Sequence, residues 1–296
     1  MKLKMVGLGK MGFNLALNMK DHEVDVEGFD VNEEARKKAE ESGIKSYETL
    51  KDLVSADQKD VIWVMLPAGK ITNSVLDELS GLCKKGDIVI DGGNSDHRDS
   101  LKTAKKMEEK GIYFFDIGTS GGVYGARHGA SFMCGGDPEV FKNDLQEMLE
   151  SIATTNGCLY TGKTGSGHYL KMIHNAMLYG YMQTLGEGFE LLEKSEFDYD
   201  LEHVADSLSK SSVIRGWLLE LAANAFRKDP DLEKIKGVVG ASKTTGWTIE
   251  SACELGIPII STSLMMRLRS KQDDSFSAKV IASLRDEVGG HKAQSK

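Results

Sequence analysis

"KLKMVGLGKMGFNLALNMKD", residues 2–21, decides the fold. A short apolar strand over 2–8 runs straight into Gly7, Gly9 and Gly12, spaced G-x-G-x-x-G, and "FNLALNMKD" continues with helical periodicity. Glycines in a strand-to-helix turn permit a tight reversal and let backbone approach a pyrophosphate lying at the positive end of the helix. Gly7, Leu8, Gly9, Lys10, Met11 and Gly12 are therefore expected to line a dinucleotide.

The next strand, "EVDVEGFD" (23–30), ends at Asp30. An acidic residue at this distance can accept hydrogen bonds from both ribose hydroxyls and repels a 2'-phosphate, which favours NAD over NADP. The same aspartate could instead cap a helix starting near Asn32, and the sequence leaves both roles open.

Further strand-then-loop units follow: "DVIWVML" (60–66) before "PAGK", "DIVIDGGN" (87–94), and "IYFFDIGTSGG" (112–122). Near-continuous apolar runs suit parallel strands covered on both faces, and ligands bind such sheets beyond the carboxyl ends of the strands. That places Leu66, Pro67, Ala68 and Asn94 among the cofactor contacts. Ser120, Gly121 and Gly122 form a candidate anion-binding turn, although a simple loop would read the same way.

Beyond Thr164 to Gly167 the pattern turns helical. One long helix is expected from His168 to about Ser195, with Gly180, Gly186 and Gly188 marking close packing, and others over 201–210, 212–227, 247–255, 261–270 and 275–288. The chain thus reads as an α/β protein: a doubly wound parallel sheet over 1–165 followed by an all-α domain over 166–296.

Within the long helix, "GSGHYLKMIHNAMLY" (165–179) sets Lys171, His174, Asn175, Leu178 and Tyr179 along one stripe. Met172, Ile173, Ala176 and Met177 are apolar on the neighbouring faces, so the helix is expected to be buried nearly all round. Polar groups held in such a setting mark a site.

A net charge of −8 over 296 residues argues against nucleic-acid or anionic-membrane partners while still permitting a local cationic pocket. Cys83, Cys134, Cys158 and Cys253 show no metal-ligand or disulfide spacing and are expected as buried thiols in a reducing compartment. No signal peptide and no run of eighteen apolar residues is present, so a cytoplasmic protein is expected. Lys243 in "GASKTTGWT", Arg269, Arg285 and His291 read, taken singly, as surface cations.

Together, "GLGKMG", "DGGNS", "TSGG", "GSGHYLKMIHNAMLYGYMQ" and "RLRS...LRDEVGGH", in this order, resemble the 6-phosphogluconate dehydrogenase family within the β-hydroxyacid dehydrogenases. The resemblance spans nearly the whole chain, whose length matches the short bacterial form. It implies a Rossmann domain, NAD as cofactor with NADP second, no metal, and a phosphorylated sugar acid as substrate. It further implies Lys171 as the acid/base and Asn175 as its polar partner. Asn94, Ser120, Gly121, Gly122 and His174 would hold the carboxylate and hydroxyl end. Tyr179, Lys243, Arg269, Arg285 and His291 would hold the phosphate, the last two reaching in from a neighbouring subunit of a homodimer or homotetramer.

One position departs from the pattern. The family usually has a glutamate immediately before the tyrosine, acting as a proton donor late in the reaction; here it is Leu178. Glu187 lies about 24 Å from Lys171 along a helix rising 1.5 Å per residue and cannot replace it. Oxidative decarboxylation of 6-phosphogluconate is the expected activity. A non-decarboxylating β-hydroxyacid dehydrogenase acting on another anionic sugar acid, and a sensor without turnover, are the alternatives.

Overall fold

The computed structural model describes residues 2–54, 57–240, 243–259, 274–290 and 292–295. The chain divides into two compact units, Met1–Met172 and Ile173–Lys296.

The first unit is built on one eight-stranded sheet. Its strands are β1 (Lys2–Val6), β2 (Asp25–Phe29), β3 (Lys45–Tyr47), β4 (Val61–Val64), β5 (Ile88–Asp91), β6 (Tyr113–Ser120), β7 (Ala130–Gly135) and β8 (Ala153–Gly162), in the order β3-β2-β1-β4-β5-β6-β7-β8. The helices are α1 (Lys10–Asp21), α2 (Glu33–Glu41), α3 (Leu50–Leu53), α4 (Lys70–Leu82), α5 (His97–Glu108), α6 (Gly122–His128), α7 (Pro138–Val140) and α8 (Gln146–Ile152), with a π turn over Phe141–Leu145 between the last two.

Period-2 alternation sorts the strand residues to two faces. Leu3, Met5, Trp63, Ile90 and Phe115 pack with Leu15, Met19 and Ala126 of α1 and α6, whereas Val6, Ile62, Val64 and Val89 pack with Leu53, Leu76 and Met107 of α3, α4 and α5. Helices on both faces explain the continuous apolar run of β4, VIWV, at the centre of the sheet. A buried ion pair, Lys4 Nζ to Asp60 Oδ1 at 2.8 Å, ties β1 to the start of β4. Removing one partner of such a pair costs about 3–5 kcal/mol.

The doubly wound parallel sheet is present, with one antiparallel addition: β7, which the sequence did not reveal, runs antiparallel to β6. Only residues 121–129 separate the two strands, too short a link for a parallel crossover of about a dozen residues or more. Strand order reverses between β1 and β4, both of which run parallel to their neighbours, and this opens a crevice at their carboxyl ends.

The second unit is helical: α9 (Ser166–Glu193), shared with the first unit and entering here at Ile173, then α10 (Leu201–Ser211), α11 (Trp217–Lys228), α12 (Lys243–Leu255) and a last helix over Phe276–Gly289. Its core gathers Met182, Leu185, Phe189, Leu219, Phe226, Ile281 and Leu284. Two expected boundaries move. Residues 212–216 are not helical, the chain turning through an Arg215 N–H bond to Ser212 O and an extended Gly216 before α11. Helix α12 begins at Lys243, not 247, and so absorbs the loop in which that lysine was expected.

Gly186 packs as expected, a Cβ there falling 2.9 Å from Ser277 O, whereas Gly188 meets nothing within 4 Å. Cys134 is buried, but Cys83 and Cys158 are half-buried and Cys253 is exposed, correcting the expectation of four buried thiols. The expected helix over 261–270 lies outside the described residues. No helix among the described residues is long and apolar enough to cross a membrane.

Candidate active site

The three glycines of the opening turn have three different physical reasons. Gly7 has φ +98°, and a Cβ there would lie 2.5 Å from Met65 O. A Cβ on Gly12 would lie 1.9 Å from Gly7 O, so this glycine lets α1 sit against the turn. Gly9 meets nothing within 4 Å and begins α1 without a side-chain cap, which leaves the helix N-terminus open to an incoming anion.

Asp30 closes this turn from β2. Its Oδ2 accepts from Leu8 N at 2.7 Å and its Oδ1 from Asn32 N at 2.8 Å. Asn32, not Asp30, caps α2, through bonds from Glu34 N and Ala35 N, so the capping role left open for Asp30 falls to its neighbour. Each carboxylate oxygen of Asp30 keeps a lone pair for a hydroxyl. The nearby Arg36 guanidinium bonds Asp30 O at 2.9 Å and Glu48 Oε1 at 3.3 Å. An open helix start followed by a carboxylate at the end of the adjacent strand fits a dinucleotide.

The next strand ends lie beside this turn. Leu66 approaches both Gly7 and Gly93, and Thr72 donates to Pro67 O at 2.9 Å, which shapes the Leu66-Pro67-Ala68 turn before α4. After β5, Asp91 accepts from Gly93 N at 3.1 Å, and Asn94 stands exposed two residues before the cap of α5 at Asp96. After β6, Gly121 and Gly122 have φ of +115° and +63°, backbone that only glycine adopts without strain. The structure thus brings the expected Gly7–Gly12 turn, Asp30, Leu66–Ala68, Asn94 and Ser120–Gly122 to the carboxyl edge of one sheet.

Lys171 belongs to the same unit. It is 6% exposed, and burial lowers its pKa from the ordinary lysine value to about 8. At pH 7 about one Lys171 in ten is then neutral, against about one in a few thousand for an ordinary lysine. Its helix is anchored by a residue the sequence reading passed over, Asp116 of β6, whose carboxylate accepts from Gly165 N and His168 N at 2.7 Å each. Burial pushes the Asp116 carboxyl above the usual range, opposed by the charge of His168 and by the amide bonds it accepts. His168 is buried, with Nδ1 at 2.8 Å from Ser100 Oγ of α5. An aspartate inside the apolar run "IYFFDIG" was the signal available for Asp116.

The remaining residues lie in the second unit. His174 Nδ1 is 3.2 Å from Asn175 Oδ1, and Asn175 is buried. Leu178 and Tyr179 pack against the helical core. Met177 is 70% exposed, so α9 is not buried all round as expected. Lys243 is exposed at the start of α12, and Arg285 lies on the last helix with its guanidinium near Gly240. Arg269 and His291 lie outside the described residues. No cluster of metal-ligating side chains occurs among the described residues.

Residues 2–162 match the model of the NAD binding domain of 6-phosphogluconate dehydrogenase, and residues 167–294 that of the 6-phosphogluconate dehydrogenase C-terminal domain. The Bacillus subtilis (strain 168) protein YqeC, which carries a provisional 6-phosphogluconate dehydrogenase name, is 46% identical over 299 residues, with all of both chains covered. A Haloferax volcanii protein named as an NAD-dependent, decarboxylating 6-phosphogluconate dehydrogenase is 39% identical, with 100% of this chain and 99% of that one covered. Among solved structures, the 6-phosphogluconate dehydrogenase of Plasmodium falciparum, described with NADP and with 6-phosphogluconate, superposes with a TM-score of 0.82 at 29% identity, over 92% of this chain and 62% of that one.

Proposed function

The chain belongs to the 6-phosphogluconate dehydrogenase family, and from that premise we propose that it catalyses oxidative decarboxylation of 6-phosphogluconate to ribulose 5-phosphate and carbon dioxide with NAD. The observation that carries this reading is Lys171, an amine buried in a nucleotide-binding unit and held at a pKa near that of a working base.

A nicotinamide dinucleotide held by the Gly7–Gly12 turn and Asp30 would supply the hydride acceptor for carbon 3 of the sugar acid. Neutral Lys171 takes the proton from the hydroxyl on the same carbon. The resulting ammonium then donates to the new ketone oxygen as the β-keto acid loses carbon dioxide, so one side chain serves as base and then acid. Asn175 orients the reacting hydroxyl. Asn94, Ser120, Gly121, Gly122 and His174 hold the carboxylate end, and Tyr179, Lys243, Arg269, Arg285 and His291 the phosphate. We infer a homo-oligomer in which the tail residues Arg285 and His291 serve a neighbouring site. NAD is favoured over NADP because Asp30 would oppose a 2'-phosphate.

Leu178 has no proton to give at the position where the family usually has its late acid. That observation supports a second reading, a β-hydroxyacid dehydrogenase that oxidises another anionic sugar acid without decarboxylation. The test is a reaction of purified protein with 6-phosphogluconate and NAD or NADP, following reduced cofactor and carbon dioxide together. Equal yields support the decarboxylating enzyme. Reduced cofactor alone supports the second reading, and tight cofactor binding with neither product would indicate a sensor.

A further inference from the structure

Strand β6 carries Asp116, Gly118 and Ser120 at alternate positions, on one face of the sheet. The start of α9 lies directly on that face. Asp116 holds the amides of Gly165 and His168, and a Cβ built on Gly118 would fall 2.4 Å from Cβ and 2.9 Å from Cγ of Lys171. A Cβ on Gly167 would fall 2.1 Å from Asp116 O and 2.4 Å from Met133 O. Helix and strand therefore meet backbone to backbone because the intervening side chains are absent on both sides. The same turn is also held from α5, through Ser100 and His168.

Such closeness exceeds what is needed to cover a sheet, since ordinary side chains would fill the gap and add apolar burial. Its effect falls on Lys171, whose flexible stem is here laid against β6 at Gly118. We propose that Asp116 and Gly118 are positioning residues for Lys171: Asp116 sets how far α9 slides along β6, and Gly118 sets how deep the lysine stem lies on it. The inference rests on Lys171 being the acid/base and deepens that reading.

The test uses full-length Gly118→Ala and Asp116→Asn. Asparagine keeps the shape but turns an amide donor toward one of the two N–H groups. For each variant, kcat, both KM values and the rate of Lys171 acetylation by acetic anhydride are measured, the last by peptide mass relative to exposed Lys102. A misplacement near 1 Å costs about 100-fold. We therefore expect kcat to fall about 100-fold in Gly118→Ala and about 10-fold in Asp116→Asn, with KM for NAD within about twofold. Relative acetylation of Lys171 should change at least about threefold, as its enclosure is disturbed.

Wild-type kcat with unchanged acetylation would overturn the proposal, as would a loss confined to KM. Should Gly118→Ala fail to fold, the near-isosteric Asp116→Asn decides alone. Should the wild-type protein oxidise no sugar acid, the proposed activity falls, and the acetylation ratio still decides the positioning.

Discussion

In the proposed reaction Lys171 ties stability to chemistry. Its depressed pKa means that the unfolded chain binds a proton the folded chain resists, so the burial penalty is fully present below pH 8 and vanishes above the ordinary lysine value. Lys171→Met should accordingly raise folding stability at pH 7 by up to a few kcal/mol, seen as a higher Tm, while turnover falls at least about 1,000-fold and NAD affinity holds. A lower Tm at pH 7 would contradict the assigned burial cost. With the neutral amine as the proposed base, kcat/KM in the wild type should rise with pH through about 8. Leu178→Glu should speed carbon dioxide release about 10-fold or more if the missing acid limits the rate, and slow it if the core around Leu178 rejects a carboxylate. The stripe that holds Lys171 was legible from helical spacing, and its burial bears that reading out, whereas its role came only from the resemblance. Asp116 offered only a polar residue in an apolar run and Gly118 no signal at all, since both make their contacts with a helix some fifty residues later.

The β1 to α1 turn was the most legible element, because each glycine answers to a local requirement. Gly9→Ala should leave Tm nearly unchanged, its Cβ entering open space, while weakening NAD binding about 10-fold as the pyrophosphate loses its approach. Gly12→Ala should instead destabilise by about 2 kcal/mol or more, since its Cβ would overlap Gly7 O. Calorimetry on both variants, with NAD titrations, separates the two roles, and equal losses of stability would contradict them. Strands β3, β7 and β8 were not read from the sequence. β3 has three residues, too few to show a period, and β8, "ATTNGCLYTG", is an edge strand whose exposed polar residues resemble a loop. The start of α12 was misplaced because Gly246 and three threonines in "KTTGWT" are poor helix formers that tertiary packing overrides.

The division into a sheet-based unit and a helical unit was legible because the hydrophobic period changes from continuous apolar runs to 3.6-residue spacing. Assembly is implied only by the resemblance, since composition carries no record of which surfaces meet a partner. The proposed tail exchange predicts a particle at least twice 32.4 kDa in sedimentation. It also predicts that a chain ending before Arg285 binds NAD but has a KM for the phosphorylated substrate raised at least about 10-fold. A monomer with full activity would exclude the exchange.

The hold of Asp116 on Gly165 and His168 reaches across 49 and 52 residues of chain, and this has a meaning in time. During synthesis Lys171 emerges after every strand of the sheet that will enclose it. Until β6 is seated between β5 and β7, the first turn of α9 has no carboxylate to grip and the amine stays in water as an ordinary ammonium. A nascent chain therefore carries Lys171 unenclosed, and the proposed base gains its buried setting only when the sheet is complete.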